Sequence, residues 1–84
     1  MKVSVFDTHV RTRDGRYLHF DVLIEGTDQA RATQYARDWM SERGVQDAYI
    51  EQSRCQFCHS EPAHPEIAAA VTAQGYYIIP LQGC

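Results

Sequence analysis

The segment CQFCHSE, residues 55–61, sets two thiols at C-x-x-C spacing directly before an imidazole, and a third thiol stands at Cys84. Zinc takes four tetrahedral ligands from thiolate and imidazole, and a C-x-x-C loop can place two sulfurs on one ion. Cys55 and Cys58 would be two ligands, Cys84 a third, and His59 or His64 the fourth. His59 follows Cys58 without a spacer and is crowded there, so His64 carries equal weight. Thiol redox chemistry is the alternative. A reactive C-x-x-C cysteine is activated at a helix N-terminus or by a nearby cation. His59 and Arg54 could act as that cation, while Pro62 and Pro65 hold any following helix away from Cys58. A third reading needs no chemistry: the thiols pack at a strand end and His59 caps a turn. C-x-x-C-H is also the attachment string of c-type haem. Met1 and Met40 are the only methionines available as a distal ligand, and so small a domain has little room for haem, so the match reads as chance.

A second polar group, Asp7, His9, His19 and Asp21, depends on how two strands pair. Residues 2–10 read as a first strand and 16–24 as a second, with Leu18, Phe20, Val22 and Ile24 alternating on one face. A two-residue Asp14-Gly15 loop would pair Phe20 with His9 and mix the faces. A loop of Arg13, Asp14 and Gly15, with Gly15 left-handed, pairs Phe6 with Val22, Thr8 with Phe20 and Val10 with Leu18. That register sets His9 opposite His19 and Asp7 opposite Asp21 on the other face. Two histidines and two aspartates there could bind a divalent ion or share a proton. The plainer reading is a solvated sheet surface whose charges Arg11 or a second subunit partly neutralises. Val3, Val5, Leu23, Tyr49, Tyr76 and Ile78 are expected on this same helix-free face, and so large an apolar area suggests a homodimer through it.

The remaining elements must position these groups. GTDQARATQYARDWMSERG reads as a helix capped by Thr27 or Asp28 and stopped at Gly44, with Ala32, Tyr35, Ala36, Trp39 and Met40 as its core stripe. Residues 45–52 read as a third strand with Ala48 and Ile50 inward. Pro65 opens a second helix that Gly75 stops. YYIIPLQ reads as a fourth strand, placed at an edge by Pro80. Helix-length crossovers favour parallel placement, so the expected fold is a two-layer α+β domain. It has a mixed four-stranded sheet, order β-β-α-β-α-β, with both helices on one face. Parallel third and fourth strands would bring Cys55, Cys58 and Cys84 to one end of the sheet.

With 84 residues, a single domain over 1–84 is expected. Hydrophobic residues make up 44% and charged residues 23%, the balance of a folded globular chain. A net charge of -3 argues against a nucleic-acid partner, and Arg11, Arg13 and Arg16 around Asp14 read as a solvated hairpin tip. No apolar run approaches membrane-spanning length and no export signal precedes the first strand, so no membrane partner and a cytoplasmic location with reduced thiols are expected. No phosphate-cradling loop, serine elbow or acid/base carboxylate pair appears, which leaves an enzyme less expected than a binding or interaction module.

The strings VFDTHV, LHFDVLI, CQFCHSEPA and GYYII followed by GC resemble a family of small, mainly bacterial proteins, domain of unknown function two thousand and twenty-four. The resemblance spans nearly the whole chain, and the cysteine string with its HSE tail is its most specific part. It implies a compact α+β domain with no assigned activity. Its motif positions are Asp7, His19, Asp21, Cys55, Cys58, His59, Ser60, Glu61 and Cys84.

Overall fold

The computed structural model describes residues 1–83. The chain runs β1 (Lys2–Thr12), β2 (Tyr17–Ile24), α1 (Gln29–Glu42), a 3-10 turn (Asp47–Tyr49), β3 (Ile50–Pro62), α2 (Pro65–Gln74) and β4 (Tyr76–Gln82). The α+β class and the element order are those expected. The four strands form one sheet in the order β3-β1-β2-β4.

The hairpin has the register that its hydrophobic face demands, with Phe6 opposite Val22, Thr8 opposite Phe20 and Val10 opposite Leu18. Thr12 N–H donates to the Arg16 carbonyl at 2.9 Å, closing a loop of residues 13–15. Gly15 has φ +88°, a conformation that side chains with a Cβ resist. Helix α1 starts at Asp28, whose carboxylate accepts from Arg31 N–H at 3.2 Å. Its stripe of Ala32, Ala36, Trp39 and Met40 is buried against Phe6, Val10, Phe20 and Val22. Burying each large side chain in that layer contributes roughly 1.5–3 kcal/mol. Pro65 begins α2, and Gly75 ends it at φ +97°. A Cβ at Gly75 would also collide with the Tyr35 hydroxyl.

Three features differ from expectation. First, every paired strand is antiparallel, so the sheet is not mixed. β2 and β3 do run the same way, but β1 lies between them. β4 runs opposite to β3 at the far edge. The connectors explain this. Only Ala63 and His64 precede α2, and only Gly75 follows it. A ten-residue helix is about 15 Å long, close to the roughly 14 Å spanned by three strand spacings. The chain therefore crosses the sheet at one end and re-enters from that end. A parallel β4 would first have to travel back along the sheet.

Second, the helices lie on opposite faces, giving three layers. Ile67 and Val71 of α2 pack on Val3, Val5 and Leu23, with Tyr77 and Ile79 beside them. The apolar patch expected to draw a second copy is thus covered by the chain's own helix. Tyr76 and Ile78 belong to the α1 face, and Tyr49 sits in the 3-10 turn. Third, residues 45–49 are not strand. β3 starts at Ile50 and continues through the cysteine segment, because β1 offers hydrogen-bond partners along its whole length.

Candidate metal centre

Helix α2 covers one end of its sheet face. At the other end the alternation of β1 and β2 lines up Asp7, His9, Tyr17, His19 and Asp21, with Asp7 opposite Asp21 and His9 opposite His19. One Asp7 oxygen accepts from His9 Nε2 at 2.8 Å, and the other accepts from His19 Nε2 at 2.6 Å. The imidazoles stack with centroids 4.1 Å apart and planes 14° from parallel. The remaining nitrogen of His9, Nδ1, meets the Tyr17 hydroxyl in a short hydrogen bond. Tyr17, His9, Asp7 and His19 thus form one continuous hydrogen-bonded chain, partly open to water.

Electrostatics separates the two aspartates. Burial alone would raise Asp7, but hydrogen bonds from His19 and His9 outweigh it and hold the carboxyl below its ordinary 3.8. Asp21 moves the other way. Burial and the adjacent Asp7 carboxylate push it up, His19 and His59 only partly offset this, and Glu61 adds to the rise. Among the described residues, Asp7, His9 and His19 are the three whose potential metal-donor atoms all lie within 4.8 Å of one another. Two imidazoles and a carboxylate suit borderline divalent ions such as zinc, iron(II), cobalt(II) or nickel.

The third strand brings further polar groups through an irregularity. His59 pairs with Val5 and Phe57 pairs with Phe6, so Cys58 is an extra residue in a β-bulge. Before the bulge, Arg54 and Gln56 share the face of His9 and Asp7. After it, His59 and Glu61 do, with His59 Nε2 3.6 Å from the Glu61 carboxylate.

The sulfur–imidazole set is arranged differently from expectation. Cys55 and Cys58 lie within β3 rather than beyond its end. Cys55 is buried on the α1 face, where its sulfur accepts from the Thr8 hydroxyl at 3.4 Å. Cys58 is exposed and lies 3.4 Å from His59 Nδ1. His64 is the exposed N-cap position of α2. Cys84 lies outside the described residues, and β4, which leads to it, is at the opposite sheet edge from β3. Tyr17 was not singled out in the sequence as part of the polar group. Its signal was the alternation itself, because Tyr17, His19 and Asp21 fall on one face of β2.

No helix among the described residues is long and apolar enough to cross a membrane. The NMR structure of protein NE1680 from Nitrosomonas europaea is similar, with 38% sequence identity and a TM-score of 0.84. That match covers 100% of this chain and 99% of the other. No curated protein matches the chain. The model of the domain of unknown function DUF2024 matches residues 1–81, so the hairpin with its Asp–His cluster and the bulged cysteine strand belong to a member of that family.

Proposed function

We propose that this protein is a small binding module that holds a divalent transition-metal ion on its outer sheet face through His9, His19 and Asp7. The observation that carries this reading is the convergence of three donor atoms within 4.8 Å from two strands of fixed register. Three protein ligands on a partly open face leave coordination positions for water or a small ligand. Each histidine would give up its Nε2 proton, and the rings would rotate out of their parallel stack so that the nitrogen lone pairs converge. His9 would then carry its proton on Nδ1 and donate it to the Tyr17 oxygen, the outer hydrogen bond that fixes a metal-bound imidazole.

Calorimetric titration of chelator-treated protein with zinc and cobalt(II) tests this reading. One ion per chain is expected, with cobalt absorption of a nitrogen–oxygen site lacking an intense thiolate band. His19→Ala should weaken binding about 100-fold and Cys58→Ser should leave it unchanged. No saturable binding, or binding lost with Cys58→Ser, would overturn the proposal.

A further inference from the structure

Beside His9 the same face dips into a cavity of about 280 Å³, lined by His9, Val10, Arg11, Tyr17, Gln52 and Arg54. The register explains its composition. Arg11 sits between Tyr17 of β2 and Gln52 of β3, and Arg54 sits opposite His9. Two guanidinium groups therefore enter one concavity from neighbouring strands. Among the described residues neither has an ion pair or hydrogen bond of its own. The neighbouring Asp7 carboxylate is already engaged by two imidazoles and does not neutralise them. Three arginines outside this cavity are differently employed. Arg16 pairs with Asp14 at 3.4 Å, Arg13 donates to the Ala48 carbonyl at 3.0 Å, and Arg43 lies 4.1 Å from the Trp39 ring centroid.

We propose that this cavity binds a small oxyanion, a carboxylate or phosphate group, between Arg11 and Arg54. Guanidinium is a planar, permanently charged fork whose N–H groups match two oxygens of such a group. The Gln52 amide adds one more polar side chain to the wall. The volume lies just under the roughly 300–1,000 Å³ of drug-sized sites, which suits a metabolite-sized acid or phosphate ester and not a polymer. Net charge of -3 on the chain makes the attraction local to the two arginines, not a property of the whole surface. The site needs no metal ion.

The test uses full-length, chelator-treated protein, so that its outcome is independent of the metal reading. Inorganic phosphate and malonate are titrated separately and followed by nitrogen-15 NMR of backbone and arginine side-chain N–H groups. Sodium chloride at matched ionic strength is the control. Saturable shifts at Arg11, Gln52 and Arg54 with one of the two anions are expected, and the tighter of the two identifies the ligand group. Arg54→Gln and Arg11→Gln should each weaken binding about tenfold or more, the scale of one charge-assisted contact. Arg31→Gln, on helix α1, should leave it unchanged. Shifts that fail to saturate, that chloride reproduces, or that survive both arginine substitutions would overturn the site.

Discussion

His9 and His19 face each other across the β1–β2 ladder as stacked rings 4.1 Å apart, and Asp7 accepts a hydrogen bond from each. The Asp7 carboxylate, with one oxygen committed to each imidazole, is the hub that ties the two strands' rings together.

That role makes Asp7 a source of acid sensitivity. Its folded pKa lies below 3.8 despite burial, because the bonds from His19 and His9 prevail. Its contribution to stability is therefore present above pH 3.8 and is lost as pH falls through the lowered folded value. The side chain is 40% exposed, so solvent screening keeps the contribution small. In metal-free protein, Asp7→Ala should cost no more than about 1 kcal/mol at pH 7. Urea melts from pH 7 to pH 3 should show the gap between variant and parent narrowing at the acid end.

Asp21 should behave in the opposite sense. Its folded pKa is raised, chiefly by burial and by Asp7. Its favourable contribution is complete below pH 3.8 and disappears as pH rises through the raised value. Asp21→Asn should therefore stabilise the metal-free protein at pH 7, by at most about 1 kcal/mol, and confer no gain at pH 3. Equal effects at both pH values would show that the charge at Asp21 is not what matters.

Helix α2 can be tested through Leu23, which is fully buried although a two-layer fold would leave it facing water. Leu23→Ala should cost about 2–5 kcal/mol in chemical denaturation, as for other core leucines. A cost below about 0.5 kcal/mol, typical of a surface site, would mean that α2 does not cover this face.

The two strand cysteines should differ sharply toward alkylating reagents. Cys58 is exposed, whereas Cys55 retains 8% exposure beneath α1. Peptide mapping after brief iodoacetamide treatment should find Cys58 modified and Cys55 largely protected until denaturant is added. Equal labelling would place Cys55 outside the core.

Local pattern was legible in the sequence and long-range order was not. The hairpin register followed from one buried face and one glycine loop, because a one-residue slip would turn every side chain over. The stripe on α1 and the Pro65 and Gly75 boundaries of α2 rest on equally local rules. The place of β3 does not, because it depends on β1 being hydrogen-bonded on both edges, and nothing near Cys55 signals that. Polar residues such as Ser53, Arg54 and Gln56 read as loop, yet they form an edge strand with one face toward water. The reversed direction of β4 was hidden in a length: the ten residues of α2 match the width of the sheet, which matters only once the strand order is known. The Asp–His group was visible because it sits wholly in the hairpin. The Arg11–Arg54 cavity was not, because Arg54 arrives from the misplaced strand.

The unpaired residue at Cys58 works as a phase inverter. Pair the same residues without the bulge, so that Cys58 faces Val5 and each later residue shifts by one, and Cys58 and Ser60 would swing outward while His59 and Glu61 turned to the α1 face. The spacing of that motif is thus a parity rule, in which an odd insertion decides which side chains share a surface with Asp7.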